Sequence, residues 1–450
     1  MASTRLTRTF GSTGNRQKWT WSAWVKRHDF GSDEAFFSCY VHANDKFQAY
    51  FDSTDRLNVW FYNGTSYNIA TKRKFRDAHG WYHIVLRIDT THGTANNRFR
   101  VYVNGVEESD RETNNQPTQN LQMSVNQAET HYISSDGNGN NNLNAALSHV
   151  HFLDGEDRDG SYFGQTDATT GEWTIKTNPT GINYGTNGFF ILKDGNSLTD
   201  QSGNSNNWAV NTGTLTKTED NPSNVFATLN PLGPRTDAGF TNGNTKVTFG
   251  TASNRSIVST TLGAFNGRYY WEIKIGGSVS PNNLTPGVGT KYQYDASANA
   301  VGSYAETWGI QPWNGNVMNN GSSVGGTWAT FTSGDIVQIA INLIDEQGGL
   351  NKLYFGKNGT WLNGADPSNH SSTTGVVGIT KPENGSSGFV FPLFGDGGSS
   401  ATPAPEVNFG NGYFGTTAVS SAGTNASNNG IFEYDVPTGF TALSTKGFNL

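Results

Sequence analysis

The sequence predicts an all-β protein made of two antiparallel β-sandwiches joined by an irregular linker. Two long stretches, Trp81–Val106 and Gly334–Trp361, alternate apolar with other residues at a period of two and break at tight turns. That period, with β-branched residues, marks half-buried strands. Aromatics are 12% of the 450 residues while all hydrophobics are only 34%. Each aromatic buries a large area, so a few per sandwich suffice for a core. The 55 glycines, with abundant Asn, Ser and Thr, suit short strands and turns rather than helices. No window carries a sustained helical stripe.

In GDIVQIAINLIDEQGGLNKLYFGKNGTW, residues Val337, Ile339, Ile341 and Leu343 share one face. Ile336, Gln338, Ala340 and Asn342 take the other, which is smaller and more polar. Asp345 to Gly349 break the pattern, Leu353 and Phe355 resume it, and Asn358-Gly359 supplies a second tight turn. In the earlier stretch Tyr82, Ile84, Leu86 and Ile88 form one row, answered by Phe99, Val101 and Val103. Asn104-Gly105 closes that hairpin. Each sandwich is therefore expected to be built round one long antiparallel pair.

Charged residues are 15% of the chain, against about 25% in ordinary proteins. Net charge is −7, with pI about 5.7 and mean hydropathy −0.55. Lys72-Arg73-Lys74 with Arg76 reads as an exposed strand end. Nucleic-acid sites need an extended basic footprint, so no nucleic-acid partner is expected. The single cysteine, Cys39, excludes an intrachain disulfide framework and packs as a small apolar residue beside Phe36 and Phe37. The opening MASTRLTRTF has no apolar h-region, and no run of 18 apolar residues occurs, so neither secretion nor membrane insertion is expected. The sequons at Asn63 and Asn358 then read as coincidence. The composition is that of an extracellular lectin or adhesin without its export signal or disulfides. A virion protein, made in the host cytoplasm and released by lysis, reconciles the two; an ordinary cytosolic β protein is the plain alternative.

Along the chain, Trp19 and Trp21 lie two apart in KWTWSAWVKRHDF, and Ala23 and Val25 continue their side. Core packing is the expected role, with an aromatic sugar platform as the sharper reading. Phe36-Phe37, Phe47, Tyr50-Phe51 and Val59 to Tyr62 follow at about ten-residue spacing, the rhythm of a sandwich. Asn63-Gly64 turns the last of these into Tyr67 to Ala70. TWSAWVK, GWYHIVLRID, RVYVNGVEE and LNAALSHVHFLDG resemble, in that order, the landmarks of laminin-G-like, concanavalin A-like jelly-roll domains. The resemblance covers residues 1–160 and implies a fold; that fold hosts lectins, glycan hydrolases and plain structural modules alike.

Residues 161–224 are rich in Asn, Gly, Ser and Thr and read as a linker, partly packed through Tyr162, Phe163, Trp173, Phe189, Phe190 and Trp208. Regularity returns for residues 225–412. There GRYYWEIKI, GDIVQIAINL, LYFGKNGTW, GFVFPLFGDG and VNFG resemble the ordered landmarks of a SPRY domain, which implies a second bent antiparallel sandwich. Its loops, Ser278 to Val301 and Asn314 to Gly326, match no known peptide pocket. Residues 413–450 form a tail with a terminal strand, in which Pro437-Thr-Gly-Phe440 resembles the segment after SPRY modules in bacteriophage proteins. The whole order, including Ala227 to Leu232 (ATLNPL), resembles virion structural proteins of marine bacteriophages, which implies a structural or host-recognition role.

No catalytic constellation is apparent. Jelly-roll glycanases need paired carboxylates that project from alternating strand positions into one groove. The densest acidic run, Asp154 to Asp159, follows the closing strand without such alternation and reads as a solvated turn. Asp154, Asp157 and Asp159 are the secondary candidates for Ca²⁺, since carboxylates and loop carbonyls suit it; no cofactor is otherwise expected. Glu272 has no partner carboxylate nearby in sequence. His149 and His151 share a strand face and could hold a metal with His83 as a third ligand; packing is the simpler reading. Candidate carbohydrate-binding residues are Trp60, Tyr62, Asn63, Tyr67, Trp313 and Asn314, aromatics beside amides next to Gly/Asn turns.

The expected function is a phage virion surface protein, a tail or head fibre or adhesin binding host-surface glycans. Weak sites would be raised by many copies, and a homo-oligomer contacting other virion proteins fits the exposed strand edges. A capsid decoration or spacer protein with protein contacts only is the alternative. A glycan hydrolase comes third.

Overall fold

A computed structural model describes residues 4–193, 195–233, 238–250, 256–277, 284–290, 300–344, 351–380, 388–396 and 402–449. The architecture is all-β: antiparallel sheets and short 3-10 turns. Among the described residues no helix is long and apolar enough to cross a membrane. The chain divides into two compact units, Met1–Lys217 with Asn221–Ser223, and Thr218–Asp220 with Asn224–Leu450.

The first unit packs two sheets. One has eight strands, in the spatial order Arg111–Asn115, Ser66–Lys74, Arg56–Tyr62, Asp45–Phe51, Glu34–His42, Thr130–Ile133, Arg5–Thr9 and Ala209–Thr212. The other has six, in the order Phe189–Ile191, Ala145–Asp154, Lys18–Arg27, Tyr82–Asp89, Phe99–Val103 and Val106–Glu107. The period-two rows meet as expected. Trp19, Trp21 and Ala23 oppose Ile88, Leu86 and Ile84, which in turn oppose Phe99, Val101 and Val103. Trp19, Trp21, Ala23 and Val25 all enter the core with Phe36, Phe37 and Cys39. Trp19 meets Phe47 edge-on at 5.3 Å between ring centres; such pairs add about 0.5–1.5 kcal/mol beyond area burial. The turn at Asn104 (φ 49°) and Gly105 (φ 78°) is left-handed at both positions. A side chain on Gly105 would also stand 2.4 Å from the Trp173 ring.

The segment expected as a linker supplies structure to both sheets. Phe189–Ile191 pairs with Ala145–Asp154, and Ala209–Thr212 pairs with Arg5–Thr9. Phe189, Ile191 and Trp208 belong to the main core. Phe163 packs with Val85, Tyr102 and Leu153 on the outer side of the six-stranded sheet. Its aromatics outweigh its polar composition because each removes a large area from water.

The second unit is also a sandwich. The central strand of its larger sheet is Arg268–Lys274, flanked by Glu406–Asn408 and Ile336–Asn342; Asn351–Lys357 lies next to the latter. Ile339 opposes Phe355 and Ile341 opposes Leu353. The turn expected at Asp345 to Gly349 lies outside the described residues, as do parts of Ser278 to Val301. The facing sheet orders Ser256–Ser259, Phe391–Asp396, Thr285–Gly289, Thr307–Ile310, Asn316–Asn319 and Ser322–Thr327.

One expectation is corrected here. Ile336–Asn342 is buried at every position, not on one face. The C-terminal segment covers its outer side: Phe432, Val436 and Phe440 pack on Tyr270, Ala340 and Tyr354. Thr441–Ala442 then joins the sheet parallel to Arg268–Lys274.

Candidate carbohydrate-binding face

Strand Arg56–Tyr62 presents alternate residues to opposite sides. Leu57, Val59 and Phe61 enter the core, so Trp60 and Tyr62 project outward from the eight-stranded sheet, as the period of a strand requires. Their rings stack at 6.0 Å, only 12° from parallel. Trp60 Nε1 donates to Ser66 Oγ at 2.8 Å, which fixes the indole. Lys46 on the adjacent strand opposes Tyr62. Its Nζ lies 5.3 Å from the Trp60 ring centre and 5.9 Å from that of Tyr62, a cation–π arrangement.

Amides border the rings. Gln48 and Asn68 oppose Trp60 from its two neighbouring strands. Gln48 Nε2 and Asn68 Oδ1 are buried and, among the described residues, have no hydrogen-bond partner. Asn63 is exposed in the turn beyond Tyr62, its N–H donating to Thr65 O at 3.2 Å. Tyr67 does not join this face. It opposes Phe61, not Trp60, and is therefore turned inward, stacked on Phe61 at 6.2 Å. Sequence reasoning missed Lys46, Gln48 and Asn68. Hairpin register across Asn63-Gly64 would have placed Asn68 opposite Trp60.

Trp313 and Asn314 lie in the second unit, in the turn before strand Asn316–Asn319. Asn314 Nδ2 donates to Gln311 Oε1 at 2.9 Å, and its Oδ1 accepts from Asn316 N at 2.9 Å. Its amide thus holds its own turn.

The acidic run does not converge on a cation. Asp154 Oδ1 accepts from Asn15 N at 2.8 Å and Asn126 Nδ2 at 2.6 Å, and Oδ2 accepts from Asn187 N at 3.2 Å. Asp157 is bound by Lys18 and Arg87, each at 2.7 Å. Burial pushes its pKa up, but these two cations outweigh that and hold it below the ordinary range. Asp159 accepts from the N–H and hydroxyl of Ser161. The three carboxylates have separate partners and do not fit a Ca²⁺ site.

The histidines are likewise occupied. His83 Nδ1 accepts from Trp173 Nε1 at 3.0 Å, so its Nε2 carries the proton and donates to Ser22 Oγ at 2.9 Å. Trp24 stacks on this ring at 4.9 Å. His149 sits at a left-handed position, φ 49°, where the strand register shifts, and its ring lies 5.5 Å from Phe190. His151 stacks on Phe190 at 3.9 Å and bonds Tyr184 Oη at 2.9 Å. Among the described residues no group of three or more His, Cys, Asp or Glu could hold a metal ion.

Glu272 is fully buried. Its Oε1 accepts from Tyr270 Oη at 2.9 Å and Tyr434 N at 2.8 Å; Oε2 accepts from Glu433 N at 2.9 Å and Asn408 Nδ2 at 3.3 Å. Burial pushes its pKa up to about 7 against the pull of these donors.

Two sandwiches, one with an outward aromatic–amide row, define an all-β protein of lectin-like architecture. Residues 5–158 match the family model for the concanavalin A-like lectin/glucanases superfamily, and residues 268–379 match that for the SPRY domain. The chain thus carries a concanavalin A-like domain followed by a SPRY domain. No curated protein matches it. Among solved structures it is similar to the SPRY domain of human HERC1, at 17% identity and TM-score 0.28, over 38% of this chain and 92% of that one. It is similar to a heptameric SAP-like pentraxin from Limulus polyphemus, at 15% identity and TM-score 0.24, over 35% and 72%. A third likeness is to domain 4 of AbnA, a GH43 extracellular arabinanase from Geobacillus stearothermophilus, in complex with arabinotriose. Identity there is 16% and TM-score 0.26, over 32% of this chain and 64% of that one.

Proposed function

We propose that this protein is a non-catalytic glycan-binding protein of a bacteriophage virion surface, in a tail or head fibre or adhesin. The observation that carries the binding reading is the outward pair Trp60 and Tyr62, parallel within 12°, with the Lys46 ammonium within 6 Å of both ring centres. Apolar sugar faces complement aromatic rings. The order of segments along the chain motivates the virion role. Such a site binds weakly, and display in many copies, as a homo-oligomer among other virion proteins, raises avidity through effective concentration. Glu272 is buried under four donors and so does not face a groove. Localisation on the virion follows synthesis in the host cytoplasm and release by lysis.

A glycan array probed with the purified full chain and with Trp60→Ala tests the reading. Binding by the parent that is lost in the variant is expected. No binding by the parent, together with normal adsorption of virions lacking the protein, would overturn it.

A second reading, a capsid decoration or spacer protein, is favoured by Phe265 and Phe389 in the second unit. They are 54% and 42% exposed, with rings 6.1 Å apart, and suit a protein contact. Locating the protein on the particle separates the two: shell facets favour decoration and tail tips favour adhesion.

A further inference from the structure

We infer that the sugar held on the Trp60–Tyr62 face carries a carboxylate, which Lys46 receives. This rests on the glycan-binding reading above and narrows it to acidic glycans.

Lys46 is an outward residue directly opposite Tyr62, and its ammonium lies within 6 Å of both ring centres. Among the described residues it forms no ion pair, although its sequence neighbour Asp45 is drawn toward Arg16 at 4.0 Å. Lys18, Arg27, Arg87, Arg100 and Arg158 in the same unit are all paired with carboxylates. Lys46 is held by ring faces instead. A cation fixed over aromatic faces without an anionic partner retains its full charge for a ligand. A neutral sugar would use the rings and leave that charge idle. A uronic or similar acidic sugar would use both: its apolar face on the rings and its carboxylate on Nζ.

The test compares trigalacturonic acid with its carboxyl-reduced neutral counterpart, titrated into the full chain by NMR or calorimetry. The variants are Lys46→Gln and Lys46→Arg, with folding followed by thermal unfolding. The acid is expected to bind about 5-fold tighter than the neutral trimer, the scale of one charge-assisted contact at an exposed site. That preference is expected to vanish in Lys46→Gln, to persist in Lys46→Arg, and to shrink as salt rises. Equal binding of both trimers, or a preference that survives in Lys46→Gln, overturns the assignment to Lys46 while leaving glycan binding intact. Binding of neither trimer, with a glycan array also negative, brings down the glycan reading itself and this inference with it.

Discussion

The backbone N–H of Tyr434 donates to Oε1 of Glu272 at 2.8 Å, across 162 positions of chain. Glu433 donates to the other carboxylate oxygen. This one buried side chain therefore ties the C-terminal segment to the centre of the second sandwich. Removing it leaves two part-buried N–H groups unmet, which costs up to about 1–3 kcal/mol each. Glu272→Ala is expected to destabilise the second unit by about 3 kcal/mol. Hydrogen exchange at Ile431 to Tyr434 is expected to rise before the rest of the sheet opens. Unchanged protection there would show that the apolar contacts of Phe432 and Phe440 suffice.

The same carboxyl sets a pH dependence. Burial raises its folded pKa to about 7 from the ordinary 4.5, so between those values the folded state binds more protons than the unfolded. Its contribution is complete below about 4.5 and is lost as pH rises through about 7. The stability difference between the parent and Glu272→Gln, measured by denaturant unfolding from pH 4 to 8, is expected to shift against the parent as pH rises. A flat difference would mean that the donors hold Glu272 ionised throughout.

The first unit is expected to respond in the opposite sense. Burial lowers His83 and His131 to about 3 from 6.5, and His28 likewise, with Lys26 adding to it. Between those values the unfolded chain binds protons that the folded unit refuses. Stability from these groups is present above about 6.5 and falls as pH drops toward 3. Hydrogen exchange resolved by unit, at pH 7 and pH 5, is expected to show the first unit loosening on acidification. His83→Gln is expected to reduce that slope, even where it lowers stability overall by removing the Trp173 acceptor.

Neighbouring aromatics on one hairpin are expected to separate binding from folding. Trp60→Ala removes an outward ring and is expected to weaken glycan binding at least about tenfold while changing stability by about 1 kcal/mol or less. Tyr67→Ala empties a core position and is expected to cost about 3 kcal/mol with the outward face retained. Isothermal titration beside thermal unfolding of each variant checks both. The reverse pattern would mean that Tyr67, not Trp60, meets the ligand.

Gly105→Ala is expected to destabilise the first unit by more than about 1 kcal/mol, because it combines a left-handed backbone with a ring contact. Trp173 fluorescence is expected to change in the folded variant. An unchanged spectrum would show that the ring does not rest on the turn.

The sequence by itself determined the all-β class, the inward rows of both central strand pairs and the Asn-Gly turns at 104 and 358. These are local properties: a period of two assigns faces, and few residues tolerate a left-handed turn. It placed Trp60 beside Tyr62 because residues two apart in a strand share a side. Only the tertiary structure turned Tyr67 inward, since its face depends on register across the hairpin. It also brought Lys46 and Gln48 beside the rings, from a strand whose pairing no local pattern specifies. The tertiary structure alone covered the outer side of Ile336–Asn342 with the C-terminal segment and built residues 161–217 into the first sandwich. Those segments have short strands and polar composition, so their order comes from a few large aromatics finding surfaces far away in the chain, and burial of that kind leaves no periodic trace in a sequence.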